Sequence, residues 1–360
     1  MKNDALPAPV VDYLPRKPRS YHPPIGVIGA GGIAGIHLRN YQQMGLNVVA
    51  IADINREAAE KRRDEFFPTA TVHTDYREIL DRPEIEVVDV NLHPQARLQI
   101  LEDALTAGKH VLSQKPYVLD LADGHRLVEL ARKHHVKLAV NQNGRWAPHF
   151  SYLRNAIEAG LIGDVVSVDF TALFDQTWIK GNPAFENIRH MVLYDYAIHW
   201  FDILHCFMRG ERAESVYASV GGFVGQTFRP PSLASVVINY AHAHARLGFN
   251  AHACFGSQDS TIVVGTKGTI RTGGADLNAQ REVQIQTEDG KVTVPLEGEW
   301  FVQGFQGTMG ELLCAIEEDR EPSNSAANNL GSMELCFAAL ASADTGLPAH
   351  PGTVTTVGTC

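Results

Sequence analysis

The stretch "IGVIGAGGIAGI", residues 25–36, decides the fold. An apolar run ends in glycines and passes at once into a segment with helical spacing, "IAGIHLRNYQQM". Gly29, Gly31 and Ala34 form G-x-G-x-x-A at the junction. That pattern suits a strand turning tightly into a helix, with the backbone free to approach a pyrophosphate and the helix packed closely on the strand. The helix N-terminus, Gly32 and Ile33 included, then presents N–H groups to the anion. Such a turn is a weak signal alone, because glycine-rich turns are common. Its surroundings strengthen it. "LNVVAIAD" reads as a second strand ending in Asp53, 22 residues beyond Gly31, where a carboxylate accepts the ribose hydroxyls of NAD. The same carboxylate repels a 2′-phosphate, so NAD is expected over NADP, with Arg56 softening the preference.

From there to about residue 145 apolar β-branched runs alternate with amphipathic helices. The runs are "TVHT", "EIEVVDVNL", "KHVLSQ" and "VKLAVNQN"; the helices between include "NREAAEKRRDEFF", "ARLQILEDALTAG" and "LADGHRLVELARKHH". This is the signature of a parallel, doubly wound α/β sheet, a Rossmann domain over 25–145. The remainder, 146–360, changes texture. Helices at "FSYLRNAIEAG" and 191–208 are joined by strand-like segments without intervening helices. One of these, "SLASVVINYAHAHARLGFNAHACFG", reads as a single long segment, and "TEDGK" as a hairpin turn. Two helices close the chain. The reading is an α+β domain with a large, mostly antiparallel sheet. Residues 1–24 form a proline-rich extended arm, which has the character to clasp a neighbouring subunit.

Bulk properties narrow the function. The net charge of −10 argues against nucleic-acid partners, which favour a basic face. No apolar run reaches the ~18 residues of a membrane span, and the first residues lack a signal-peptide core. The five cysteines are scattered and odd in number, as expected of reduced thiols in a cytoplasmic protein with no metal site.

"LSQKPYVLD", residues 112–120, puts Lys115 at the end of the fifth strand, before Pro116. Ligands of such sheets bind outside the carboxyl ends of the strands, so Lys115 faces the cofactor cleft. A lysine there can hold a substrate hydroxyl and stabilise developing negative charge. The bland alternative is a surface lysine before a turn proline. Within 191–208, Leu193, Tyr196, Ala197, Trp200, Ile203, Leu204 and Phe207 make an apolar stripe. Asp195, His199, Asp202 and Cys206 fall opposite. Asp195 and His199 are four apart and so neighbours on a helix, and a histidine is suited to accept a proton near neutrality. The bland alternative is a solvated polar face. "AHAHARL" sets His242, His244 and Arg246 on one strand face, which reads as a polar outer surface in the absence of further ligands in suitable spacing.

Taken together, the glycine turn, "AGKHVLSQKP", "GRWAP…AGLIGDVVSVDF", "DYAIHWFD" and "FQGTMGELLCAIEEDREP…ALASADTGLP" resemble the glucose–fructose oxidoreductase / inositol dehydrogenase / MocA (Gfo/Idh/MocA) family over residues 25–350. The resemblance implies a Rossmann domain coupled to an α+β domain whose open sheet carries homodimer or homotetramer contacts. It implies an NAD(P)-dependent dehydrogenase of a sugar or polyol: an aldose (a pentose such as apiose among the candidates), a uronate, a hexose or an inositol. Lys115 matches the family's catalytic lysine, and Asp195 and His199 its D-x-x-x-H pair, all three also touching substrate in one pocket with the nicotinamide. His93 and Gln114 join Gly29, Gly31, Gly32, Ile33, Asp53 and Lys115 on the cofactor side. Arg145 and Trp146 are substrate candidates just past the sixth strand, with Trp178 and Tyr194 as further aromatic ones. Two positions depart from the pattern. Gln114 replaces the usual glutamate, and His93–Pro94 replaces "TP", with Leu98 where a histidine is usual. The other readings left open are an enzyme that recycles a tightly bound NAD and a non-catalytic NAD- or sugar-binding regulator.

Overall fold

The computed structural model describes residues 8–357. In chain order the first elements are β1 (Pro24–Ile28), α1 (Gly32–Met44), β2 (Asn47–Ala52), α2 (Arg56–Phe66), β3 (Thr71–His73), α3 (Arg77–Leu80), β4 (Val87–Val90), α4 (Pro94–Thr106), β5 (His110–Ser113), α5 (Leu121–Lys133) and β6 (Leu138–Val140). The six strands form one parallel sheet in the order β3-β2-β1-β4-β5-β6. The order reverses between β1 and β4, the switch point at which such sheets bind ligands. β4 is buried along its whole length, as an all-parallel sheet covered on both faces requires.

The later elements are α6 (Pro148–Glu158), β7 (Val165–Leu173), α7 (Pro183–Glu186), α8 (Ile198–Phe207), β8 (Ser215–Gly221), β9 (Leu233–Asn239), β10 (His244–Asn250), β11 (Gln258–Gly265), β12 (Gly268–Gly274), β13 (Glu282–Thr287), β14 (Gly290–Pro295), α9 (Phe305–Glu317) and α10 (Ala326–Thr345). The eight strands form a second sheet, β14-β13-β12-β11-β7-β10-β9-β8. Every pairing is antiparallel except β7 with β10. The "TEDGK" turn joins β13 to β14 as expected. The single long segment expected over 232–256 is instead a hairpin, β9 and β10. Its turn, with Tyr240 N–H bonded to Ala243 O at 2.9 Å, contains no glycine, proline or asparagine to announce it. His242 therefore sits in the turn and not on the strand face with His244 and Arg246.

The chain divides into two compact units, and the division is not the contiguous one at 145/146. Phe301–Leu330 belong with Pro15–Asn143, and Gly144–Trp300 with the chain's terminal segments. The reason is burial: Met309, Leu312 and Leu313 of α9 lie in one apolar cluster with Ile25, Val27, Leu38 and Tyr41. Nor is the arm a separate body. Residues 8–14 lie along α6, where Tyr152 donates to Pro9 O at 3.1 Å and Tyr13 meets the Tyr152 ring edge-on at 5.9 Å. Further on, Glu317 of α9 accepts from the backbone N–H groups of Arg19, Ser20 and Tyr21 at 2.7–3.0 Å. The described part of the arm is thus held by its own chain. Among the described residues no helix is long and apolar enough to cross a membrane. The four described cysteines are free thiols, and Cys360 lies outside the described residues.

Candidate functional site

In the unit built on the parallel sheet, the glycine turn leaves β1 between the ends of β2 and β4. Gly29 has φ 96°, and a Cβ there would stand 2.7 Å from Asn91 O, so glycine is required. At Gly31 and Gly32 a Cβ would meet nothing within 4 Å, so the turn is open on its outer side. Gly31 is the N-cap of α1 and makes no side-chain cap bond, and the first turn of α1 holds no acidic residue. Ala34 is fully buried against the sheet, the role the third position of the motif demands. Ile33 is half-buried beside it.

Asp53 follows β2, and its Oδ2 accepts the Ala30 N–H at 2.7 Å while Oδ1 accepts the Asn55 N–H at 2.8 Å. It braces the glycine turn directly. Each carboxylate oxygen keeps a further lone pair, so ribose hydroxyls remain acceptable partners. Sequence reasoning missed Arg62, which donates to Ala30 O at 3.3 Å and Gly31 O at 3.1 Å. Gly35 makes room for it, since a Cβ there would come 2.7 Å from Arg62 Nη1. Arg56 pairs with Glu60 at 3.4 Å on the surface of α2. An open turn, an uncapped helix start and a carboxylate at the end of β2 fit a bound dinucleotide.

Beyond β4, His93 is exposed at the N-cap of α4, ahead of Pro94. The buried Arg97, also missed, donates to Leu92 O at 2.7 Å and Tyr117 O at 3.2 Å. It ties the loop that carries His93 to the segment after β5. That segment holds Gln114, buried, and Lys115, half-buried, followed by a cis peptide bond to Pro116. Gln114 Oε1 accepts the Lys115 backbone N–H at 2.7 Å.

The second unit holds the other candidates. The continuous helix expected over 191–208 is broken: Val192–Tyr196 form a π-turn, with Ala197 N–H bonded to Val192 O at 2.7 Å, and α8 begins at Ile198. Asp195 lies in the π-turn and His199 in the first turn of α8, both half-buried. The D-x-x-x-H spacing therefore spans a change of helical pitch, a feature that recurs at functional sites. The polar face opposite the apolar stripe is not simply solvated. Asp202 is 1% exposed and accepts two bonds from Arg145, Nε at 2.6 Å and Nη2 at 2.5 Å, and one from Ser332 at 2.8 Å. Arg145, expected at the substrate, has its guanidinium fork engaged by Asp202 and is itself 1% exposed. His205, on the same helix, is pushed below the usual histidine range by burial.

Two residues absent from the sequence reading flank His199. Trp300 meets its ring edge-on at 5.5 Å, and a Cβ on Gly144 would stand 3.2 Å from Trp300 and 3.7 Å from His199. A glycine beside a tryptophan at long sequence separation leaves no periodic signal. Trp146 is buried beneath the Arg154 guanidinium, 5.4 Å from its ring. Tyr194 is buried, whereas Trp178 is 60% exposed, its ring edge-on to Phe185 at 5.1 Å.

Comparison with known proteins shows the family. A family model described as "Oxidoreductase family, NAD-binding Rossmann fold" matches residues 24–142, and one described as "GFO/IDH/MocA C-terminal domain" matches residues 150–271. An inositol 2-dehydrogenase of Rhizobium meliloti is 25% identical over 328 residues, covering 88% of this chain and 96% of the relative. A D-apiose dehydrogenase of Paraburkholderia graminis is 25% identical over 343 residues, covering 89% and 87%. Among solved structures, an oxidoreductase from Agrobacterium radiobacter in complex with NAD+, L-tartaric acid and magnesium superposes with a TM-score of 0.83 at 19% identity, covering 92% of this chain and 99% of that one. At that identity the likeness establishes the fold alone.

Proposed function

This chain belongs to the Gfo/Idh/MocA oxidoreductase family, with an NAD-binding Rossmann domain, and from that premise we propose that it oxidises a carbinol of a cyclic sugar or polyol, with Lys115 and His199 as the acid–base pair. The observation that carries the proposal is the pair Asp195 and His199 at the junction of a π-turn and α8, half-buried beside the helix's apolar stripe.

When bound, the nicotinamide supplies the hydride acceptor. The chain's own groups do the rest. His199 takes the hydroxyl proton as the carbonyl forms. The Lys115 ammonium hydrogen-bonds the same oxygen and stabilises its developing negative charge. Asp195 orients His199 or the substrate. Trp300, buried and edge-on to His199, backs the His199 ring. The dinucleotide is held by the N–H groups at the start of α1 and by Asp53, which favours NAD over NADP. His93 and Gln114 complete the cofactor side. An anomeric hydroxyl yields a lactone and a ring secondary alcohol a keto sugar; the relatives named for inositol and apiose oxidation support both classes. We place the protein in the cytoplasm as a homodimer or homotetramer.

Mutation tests the assignment. Lys115→Ala and His199→Ala each lower turnover by ~10²-fold or more if these are the acid–base groups, while NAD affinity of His199→Ala stays near that of the parent. Turnover close to the parent's in both variants sinks it.

A further inference from the structure

A chain of buried polar groups leads from the middle of β4 to the backbone of Lys115. Asp89, fully buried, accepts from Tyr41 Oη at 2.7 Å and from Asn91 Nδ2 at 3.0 Å, and lies 2.9 Å from His37 Nδ1. His37, on α1, is equally buried. Its other ring nitrogen, Nε2, stands 3.1 Å from Gln114 Nε2 and 3.1 Å from Asn141 Nδ2. Gln114 Oε1 in turn accepts the Lys115 N–H at 2.7 Å and Asn141 Nδ2 at 3.2 Å. Thr308 of α9 donates to Asn141 Oδ1 at 2.9 Å.

The direction of every bond follows from one fixed point. A backbone N–H only donates, so the Gln114 atom facing Lys115 is the oxygen. The amide nitrogen therefore faces His37, and an amide nitrogen also only donates. His37 Nε2 must then present a lone pair, and the ring proton sits on Nδ1, aimed at Asp89. Amide and imidazole orientations are ordinarily assigned by such network reasoning; here the backbone anchors the whole chain.

We propose that Asp89 and His37 form a positioning dyad for the proposed catalytic lysine. Asp89 fixes the tautomer of His37, and His37 fixes the Gln114 amide in the one orientation that receives the Lys115 N–H. The strand end that presents Lys115 is thereby held from behind. Position 114 accordingly requires a side chain that accepts on one side and donates on the other. A carboxylate there sets lone pair against lone pair unless His37 takes a second proton at Nε2. The groups that face His37 are Asp89 from β4, Tyr41 from α1, Gln114 after β5, Asn141 after β6 and the ring of Phe305 from α9, edge-on at 4.9 Å.

The link to turnover rests on the proposed role of Lys115, but the hydrogen-bond polarity does not, so the first test needs no substrate. Nitrogen NMR on histidine-labelled protein, with His37 identified by the signal lost in His37→Asn, reads the tautomer directly. The expected result at neutral pH is a protonated Nδ1 and a bare Nε2 in the parent, and both nitrogens protonated in Gln114→Glu. If His37→Asn fails to fold, Gln114→Glu identifies the signal, since it must move. The second test is the pH profile of Gln114→Glu. Its profile should differ from the parent's, because a carboxylate at 114 facing a bare His37 Nε2 loosens the hold on the Lys115 backbone. A parent ring protonated at Nε2, or a Gln114→Glu variant with the parent's spectrum, overturns the dyad. A variant with the doubly protonated ring but the parent's pH profile overturns its bearing on Lys115. Absence of any dehydrogenase activity would leave the NMR result standing and fail the functional reading alone.

Discussion

Asp259, which lies in β11 near its start, has no exposed surface and receives a hydrogen bond from Gln280. Burial pushes its carboxyl up to about 8, and burial pushes His149, 3.9 Å away, down to about 3. Near neutral pH both are uncharged, so their proximity is that of a neutral acid and a neutral imidazole and not of an ion pair. The folded carboxyl titrates above its unfolded value of 3.8, so its contribution to stability is complete below that value and is lost as pH rises through about 8. Asp259→Asn still accepts from Gln280 but cannot ionise. Buried His149 acts in the opposite sense below its ordinary value of 6.5 in both proteins, so the difference in Tm isolates Asp259. Thermal melts should show Asp259→Asn gaining Tm relative to the parent between about pH 4 and pH 8. A variant with the parent's slope would remove Asp259 as the cause. Nothing in the local sequence marks Asp259, because His149 comes from α6 and Gln280 from the approach to β13.

Elements with a strong period were legible in advance. The β-branched runs and amphipathic helices of the parallel sheet were read from composition and spacing, because each buries a continuous apolar face. The β9–β10 turn was not, because its "AHAH" has none of the residues that mark turns. The π-turn at Val192–Tyr196 was not, because one extra residue per turn barely changes the apolar stripe around it. Among the elements, the C-terminal turn of α9 carries its own prediction. Glu317 is lowered to about 2 by the N–H groups of Arg19, Ser20 and Tyr21 and the Ser20 hydroxyl. Its hold on the arm is complete above its ordinary value of 4.5 and is lost as pH falls through about 2. Glu317→Gln keeps one acceptor oxygen but loses the charge. Hydrogen exchange at the three amides should then be faster at neutral pH, with α9 itself unchanged. Equal protection in parent and variant would show that the arm is held by other contacts.

For the molecule as a whole, the Rossmann half of the fold and the cofactor were readable from Gly29, Gly31, Ala34 and Asp53, whose meaning depends only on residues nearby in sequence. The return of residues 301–330 to that unit was not readable, since a helix pattern does not say which apolar surface it covers. The same limit hid Arg62, Arg97 and the His37–Asp89 pair, whose partners lie far away in the chain, and it hid the hold that Asp202 has on Arg145. Lys115, Asp195 and His199 were named from a strand end and a helical spacing and matched to catalytic roles through resemblance, and those roles remain the central proposal.

The most direct measurement follows the near-ultraviolet absorbance of NADH as the purified protein meets NAD or NADP with a panel of aldoses, uronates and inositols. The account predicts NADH formation with one class of cyclic sugar or polyol, faster with NAD than with NADP because of Asp53, and lost in His199→Ala. Silence across the panel from protein that carries bound NAD would contradict it and favour a cofactor recycled within the site or a regulator that only binds.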